Sequence, residues 1–179
     1  MRVITGTARG KRLKTLDGQD VRPTTDRVKE AVFSIIQFQT EGRVFLDLFA
    51  GSGQMGIEAL SRKAKQSFFI DQSKTSLSVV KQNVQTAGFA ERASIIQADA
   101  PSFLAGTAHR FDIAYLDPPF HSDLLARCLP LLAPKMNKGG IILCETTLDT
   151  ELPQEAGAFS LHKEYRYGKI KVASYLNAD

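Results

Sequence analysis

Short apolar runs recur along the chain, and each is followed by a stretch in which apolar positions return every three or four residues. The runs Val44–Asp47, Ser67–Asp71, Ala93–Gln97, Phe111–Leu116 and Ile141–Glu145 have the length and bulk of buried strands. Between them the spacing turns helical. Val28, Val32 and Ile35 or Ile36 predict an amphipathic helix over residues 26–38, with Thr25 or Asp26 as its cap. Ile57–Leu60 opens a second helix. Leu77, Val80 and Val84 mark a third over Ser73–Ala87, stopped by Gly88. Leu124–Leu132 is a fourth, and Gly139-Gly140 predicts a turn before the fifth strand. From Phe159 to Leu176 two alternating runs flank Tyr167-Gly168, which predicts an antiparallel hairpin. Strands alternating with helices imply an α/β, Rossmann-like fold: a mostly parallel seven-stranded sheet with helices on both faces and an antiparallel C-terminal hairpin.

Residues 1–22 depart from this rhythm. Glycines at 6, 10 and 18 punctuate short runs such as Arg2-Val3-Ile4-Thr5 and Lys11-Arg12-Leu13-Lys14. They predict a small β-hairpin-like extension ahead of one globular domain spanning residues 23–179. The extension carries Arg2, Arg9, Lys11, Arg12, Lys14 and Arg22, with no acid in its first fourteen residues. Arg9, Lys11, Arg12 and Arg22 are candidate phosphate contacts for a nucleic acid. A solvated edge that protects a strand from aggregation is the alternative.

Composition narrows the picture further. A chain of 179 residues with net charge +4 is long enough for one real core. No apolar run approaches the ~20 residues that cross a bilayer, and the N-terminus lacks a signal-like apolar segment. Cys128 and Cys144 lie in apolar runs and read as buried, reduced thiols of a cytoplasmic protein. His109, His121 and His162 form no ligand cluster, so no metal is expected.

Chemistry concentrates in two places. The first is Val44–Gly56, where a strand ends in Asp47, glycines follow at 51, 53 and 56, and a helix begins. Strand, glycine turn and helix make a nucleotide cradle. Gly51 and Gly53 allow a close approach of backbone to ligand, and Gly56 allows the helix to pack close to the strand. Asp71, about 20 residues beyond the turn, stands where a ribose-binding acid belongs. The spacing alone also fits a dinucleotide site, but Asp47 would repel a pyrophosphate and suits the cationic, amino-acid end of another cofactor. The stretch Asp47-Leu-Phe-Ala-Gly-Ser-Gly53 resembles the S-adenosylmethionine loop of Rossmann-like methyltransferases. The second place is Asp117-Pro118-Pro119-Phe120, directly after a strand and so beside the cradle. A carboxylate acceptor, a rigid loop carbonyl at Pro118 and the flat face of Phe120 make a pocket for a planar base bearing an exocyclic amine.

The match then becomes specific. Arg22-Pro-Thr-Thr-Asp-Arg-Val-Lys-Glu30, Asp47–Gly53, Gly56-Ile-Glu-Ala-Leu-Ser-Arg62 and Asp117–Phe120 together resemble the bacterial small-subunit ribosomal RNA guanine-N2 methyltransferase family. Arg2–Gly6, Arg9–Lys11 and Tyr167-Gly168-Lys169 are similar too, so the resemblance spans nearly the whole chain. It implies S-adenosylmethionine as cofactor and small-subunit ribosomal RNA as partner, free or in a particle, acted on by a monomer. It also implies that Asp47–Gly53, with Phe49, holds the methionine part. Asp71 would take the ribose, Asp99 the adenine amine, and Thr24–Arg27 would close over the cofactor. Asp117, Pro118 and Phe120 would hold the target guanine, Asp117 also facing the cofactor. Lys63 departs from the pattern, standing where a glycine is expected to end the helix. An adenine-N6 methyltransferase, a nicotinamide-dependent dehydrogenase and a non-catalytic ribosome-assembly protein are the competing readings.

Overall fold

The computed structural model describes residues 1–17 and 24–177. In chain order the elements are α1 (Asp26–Ile35), β1 (Val44–Asp47), α2 (Gln54–Ser61), β2 (Gln66–Asp71), α3 (Lys74–Ala87), β3 (Ala93–Gln97) and α4 (Ala100–Gly106). They continue with β4 (Phe111–Leu116), α5 (Leu124–Leu132), β5 (Met136–Thr147), β6 (Glu155–Ala156), β7 (Phe159–Tyr167) and β8 (Ile170–Asn177). All strands join one sheet in the order β3-β2-β1-β4-β5-β8-β7-β6. The first five are mutually parallel, and β8 runs antiparallel between β5 and β7. This is the expected α/β architecture, with the two-residue β6 added at the edge beyond the seven anticipated strands.

Side chains alternate across the central strands and feed two cores. Phe45, Phe69, Ile113, Tyr115 and Leu143 pack under α1, α2 and α3. Leu46, Phe68, Ala114, Leu116 and Ile142 pack under α4 and α5. A strand covered on both faces must be apolar at successive positions, which is why these runs lack a polar alternation. The order of strands reverses at β1: its neighbours β2 and β4 lead the chain outward in opposite directions, leaving a crevice at their carboxyl ends.

Local chemistry sets the element ends. Thr25 caps α1, its side chain accepting from the Val28 N–H at 3.3 Å, and the helix stops at Ile35 rather than at 38. Ser73 caps α3, and Gly88 closes it in the left-handed region. Lys63 takes that region after α2, at φ 71, where glycine is the cheaper residue. Helix α4 was not expected. Its cap is Asp99, which accepts from the Ser102 N–H at 3.1 Å, and Pro101 lies in its first turn. Gly139-Gly140 is no turn ahead of β5 but a bulge within it, because Phe111 pairs with Met136 and Ile113 with Ile141. A Cβ on Gly140 would sit 2.9 Å from the Asp112 carbonyl oxygen.

The N-terminal segment folds back on itself through one antiparallel bridge between Arg2 and Arg12, and it docks against α2. Val3, Ala8 and Leu13 enter the same core as Val32 and Phe33. Glu58, fully buried on α2, accepts from the N–H groups of Ile4 at 2.8 Å and Thr5 at 3.0 Å. It also meets the Arg62 Nε at 3.0 Å and the buried Lys29 Nζ at 3.5 Å. Lys29 donates in turn to the Arg2 carbonyl at 2.8 Å. Asn83 of α3 completes the attachment, exchanging hydrogen bonds with the Lys14 backbone and donating to the Ser52 carbonyl.

Candidate active site

At the carboxyl ends of β1, β2 and β4 lies a cleft of about 660 Å³. Thr24, Asp47, Phe49, Gly51, Asp71, Asp99, Asp117, Pro118 and Phe120 all line it, so sequence-distant candidates come together in one place. Gly53 does not line it. It sits in the left-handed region at the start of α2, where an added Cβ would meet the Val80 methyls at 3.2 Å. That conformation and the close approach of Val80 both favour glycine there. Gly56 does what its position predicted: a Cβ there would fall 2.3 Å from the Phe69 ring. Arg22 lies outside the described residues. Arg9, Lys11 and Arg12 are exposed on the docked arm and do not line the cleft, whereas Met1, Thr15 and Leu16 of the same arm do.

Backbone hydrogen bonds shape the glycine loop. Ala50 N–H donates to the Ile70 carbonyl at 2.9 Å, and Gly53 N–H to the Ala50 carbonyl at 2.8 Å. Asp71 fastens it to the end of β2, one oxygen accepting from Gly51 N–H at 2.9 Å and the other from Ser73 N–H at 2.8 Å. Each carboxylate oxygen retains a lone pair for a ligand hydroxyl. At Gly51 the nearest atom to an added Cβ is 3.9 Å away, so this stretch of the loop leaves open space for a ligand.

Asp47 is almost completely buried, and Gly56 N–H donates to it at 3.0 Å. Burial drives its carboxyl well above the ordinary carboxylate range; the Gly56 amide opposes this, and the charges of Asp117 and Asp71 reinforce it. Three acids at one cleft end, one of them desolvated, fit a cation and disfavour a pyrophosphate. Asp99 is exposed, and its hydrogen bonds to Ser102 lower its carboxyl from the ordinary value. It is both a helix cap and a charged acceptor at the cleft rim.

The β4 side is held by side chains. Thr24 Oγ1 donates to an Asp117 oxygen at 3.4 Å. The backbone carbonyl of Thr24 accepts from Gln54 Nε2 at 3.2 Å. Tyr115, buried beneath the cleft, donates its hydroxyl to the fully buried Glu145. Burial, together with Asp117 and Glu145, raises the Tyr115 hydroxyl well above its usual value, so it remains a neutral donor. After Pro119 the loop turns through His121 in the left-handed region at φ 59, and Ser122 Oγ closes it on the Pro119 carbonyl at 2.7 Å. Tyr115, Gln54 and Arg127, which are not among the sequence candidates, also line this cleft. Tyr115 was concealed in a core strand, but a tyrosine two residues before the strand-end acid was a usable signal.

The family model described as conserved hypothetical protein 95 matches residues 1–176. The chain belongs to that family. It is 37% identical over 98% of each chain to a Bacillus subtilis protein named "Putative rRNA methyltransferase YlbH". It is 36% identical to ribosomal RNA small subunit methyltransferase D of Haemophilus influenzae, over 99% of this chain and 94% of that one. A solved Escherichia coli structure, "Putative methyltransferase yhhF", superposes with a TM-score of 0.89 at 34% identity, covering 99% and 97% of the two chains. The family resemblance carried by Asp47–Gly53 and Asp117–Phe120 therefore holds across the fold, and the Rossmann-like methyltransferase architecture is shared.

Proposed function

We propose that this protein transfers a methyl group from S-adenosylmethionine to the exocyclic N2 amine of a guanine in small-subunit ribosomal RNA. One observation carries the reading: Asp117, at the carboxyl end of β4, lines the same cleft as the glycine loop after β1. The names of the relatives support ribosomal RNA as substrate. The Asp-Pro-Pro-Phe loop supports an aromatic amine as the acceptor, and guanine N2 follows from the family resemblance.

When bound, S-adenosylmethionine supplies an electrophilic methyl on a sulfonium. The residues of the chain do the rest. Asp47 and the loop to Gly53 would hold the cationic amino-acid end, Asp71 would take the ribose hydroxyls, and Asp99 would take the adenine amine. Phe49 would pack against the bound cofactor, and Thr24 would cover it. An exocyclic amine conjugated with its ring is a weak nucleophile. Asp117 and the Pro118 carbonyl accept its hydrogens, which localises the nitrogen lone pair and stabilises the positive charge that grows there. Phe120 stacks on the extruded base, an interaction worth ~1–3 kcal/mol. Such contacts require the base outside its helix, as in other base-modifying enzymes. Arg9, Lys11, Arg12 and Arg22 meet RNA phosphates, with the cytoplasm as the place of work.

The test is incubation with methyl-labelled S-adenosylmethionine and unmodified small-subunit RNA or particles, followed by nucleoside analysis. Label in N2-methylguanine is expected. Label only in N6-methyladenine would replace the acceptor assignment, and no label on any RNA would overturn the reading.

A further inference from the structure

Among the described residues, one buried polar atom beside the cleft has no hydrogen-bond partner. Gln54, the first residue of α2, lines the cleft and is 6% exposed. Its Nε2 donates to the Thr24 carbonyl at 3.2 Å, which fixes the orientation of the amide, since a carbonyl can only accept. Its Oε1 is closed to water and has no hydrogen-bond partner among the described residues. Buried acceptors are rarely left so, because the lost solvation is not returned.

The surroundings say what kind of group completes it. Gln54 and Gly56 share the first turn of α2, and Gly56 N–H is the donor that holds Asp47. Thr24, on the other side of the Gln54 amide, reaches Asp117. Gln54 thus has a neighbour bonded to each of two carboxylates, Gly56 to Asp47 and Thr24 to Asp117, and those carboxylates are close enough to act on each other's charge. The complementary group is cationic and has several N–H donors, which describes a primary ammonium. An alcohol could serve one of these acceptors, and a sulfonium, having no N–H, none of them.

We propose that Gln54 Oε1 accepts a hydrogen bond from the α-ammonium of the bound cofactor, and that Gln54 is a specificity determinant for the amino-acid end of that molecule. This rests on the S-adenosylmethionine reading above. The same amide holds Thr24 through its nitrogen, so the ammonium contact and the Thr24 strap meet on one side chain.

Calorimetry separates the possibilities. The ligands are S-adenosylhomocysteine and an analogue in which hydrogen replaces the α-amino group. The proteins are wild type, Gln54→Met and Gln54→Glu, each checked by thermal unfolding. Wild type should prefer the parent ligand by about 10- to 100-fold, as expected for a charge-assisted hydrogen-bond set. Gln54→Met should lose about tenfold or more for the parent and little for the analogue, so its preference narrows. Gln54→Glu keeps an acceptor and loses the donor to Thr24; it should retain the preference. An undiminished preference in Gln54→Met would overturn the assignment, and so would loss of the preference in Gln54→Glu. Failure of wild type to bind either ligand would instead refute the cofactor reading on which the proposal stands.

Discussion

Glu58 and Asp47 are both acids with almost no exposed surface, and both touch α2, yet their surroundings differ in kind. Glu58, on the side of α2 facing the N-terminal arm, accepts from two backbone N–H groups and is flanked by Lys29 and Arg62. Asp47, on the cleft side, has the Gly56 amide as donor and two other acids as electrostatic neighbours. A buried carboxylate surrounded by donors and cations is scaffold. One surrounded by like charge is held at a cost that a proton or an incoming cation offsets. Glu58 thus builds the scaffold, whereas Asp47 is suited to a cationic partner.

The largest expected effect lies on the scaffold side. Glu58→Ala strips two arm amides and leaves Lys29, whose ammonium burial already disfavours, without its carboxylate. Breaking such a buried pair costs about 3–5 kcal/mol. Urea unfolding should show that loss, and amide exchange should show Ile4 and Thr5 losing protection. A change below about 1 kcal/mol would mean that Glu58 is not the anchor of the arm.

Asp71→Ala comes next. It removes the acceptor for Gly51 N–H and, on the proposed reading, a charged partner for ribose hydroxyls. Cofactor affinity should fall by about 1.5–3 kcal/mol, read by calorimetry. Unchanged affinity would remove Asp71 from the binding set.

Asp47→Asn should divide stability from binding. The folded protein holds the Asp47 proton to higher pH than the unfolded chain does, because burial raises the carboxyl. Its contribution to stability is therefore full below the ordinary carboxylate range and is lost as pH rises through the raised folded value. At neutral pH the asparagine variant should be the more stable protein, and the two should converge in acid. Cofactor affinity should move the other way. Binding of a cation should release a proton from Asp47, so wild-type affinity rises with pH while the variant stays flat. Calorimetry in buffers of different ionisation enthalpy reads that proton directly, and its absence would contradict the contrast with Glu58.

The smallest effect concerns the surface of the arm. Alanine at Arg9, Lys11 and Arg12 should leave cofactor binding intact and reduce the salt dependence of RNA binding by about 1 per lost phosphate contact. An unchanged slope would return these residues to a solvated edge.

Much of the fold and of the cleft is legible in the sequence. Strands covered on both faces announce themselves as apolar runs, and acids at their carboxyl ends fall at the ligand edge by the rules of parallel sheets. Asp47, Asp71 and Asp117 were legible for that reason. Gln54, Asn83 and Glu58 were not, since each is defined by hydrogen bonds to backbone that lies 30 to 69 residues away in sequence. Helix α4 was legible in principle: Asp99 followed by Pro101 is a helix start, masked by the brevity of the element that follows. Gly139-Gly140 misled because a bulge and a turn demand the same residue type.

The central claim is that the loop after β1 holds the cofactor while Asp117, after β4, acts on the amine as it becomes cationic. Single-turnover methylation of small-subunit RNA at saturating cofactor, with cofactor affinity measured separately, tests it most directly. Asp117→Ala should slow the transfer by about 10²–10³, as for loss of one preorganised stabilising group, and bind the cofactor nearly as wild type does. Full activity in Asp117→Ala, or a rate that falls only in proportion to cofactor affinity, would contradict the account.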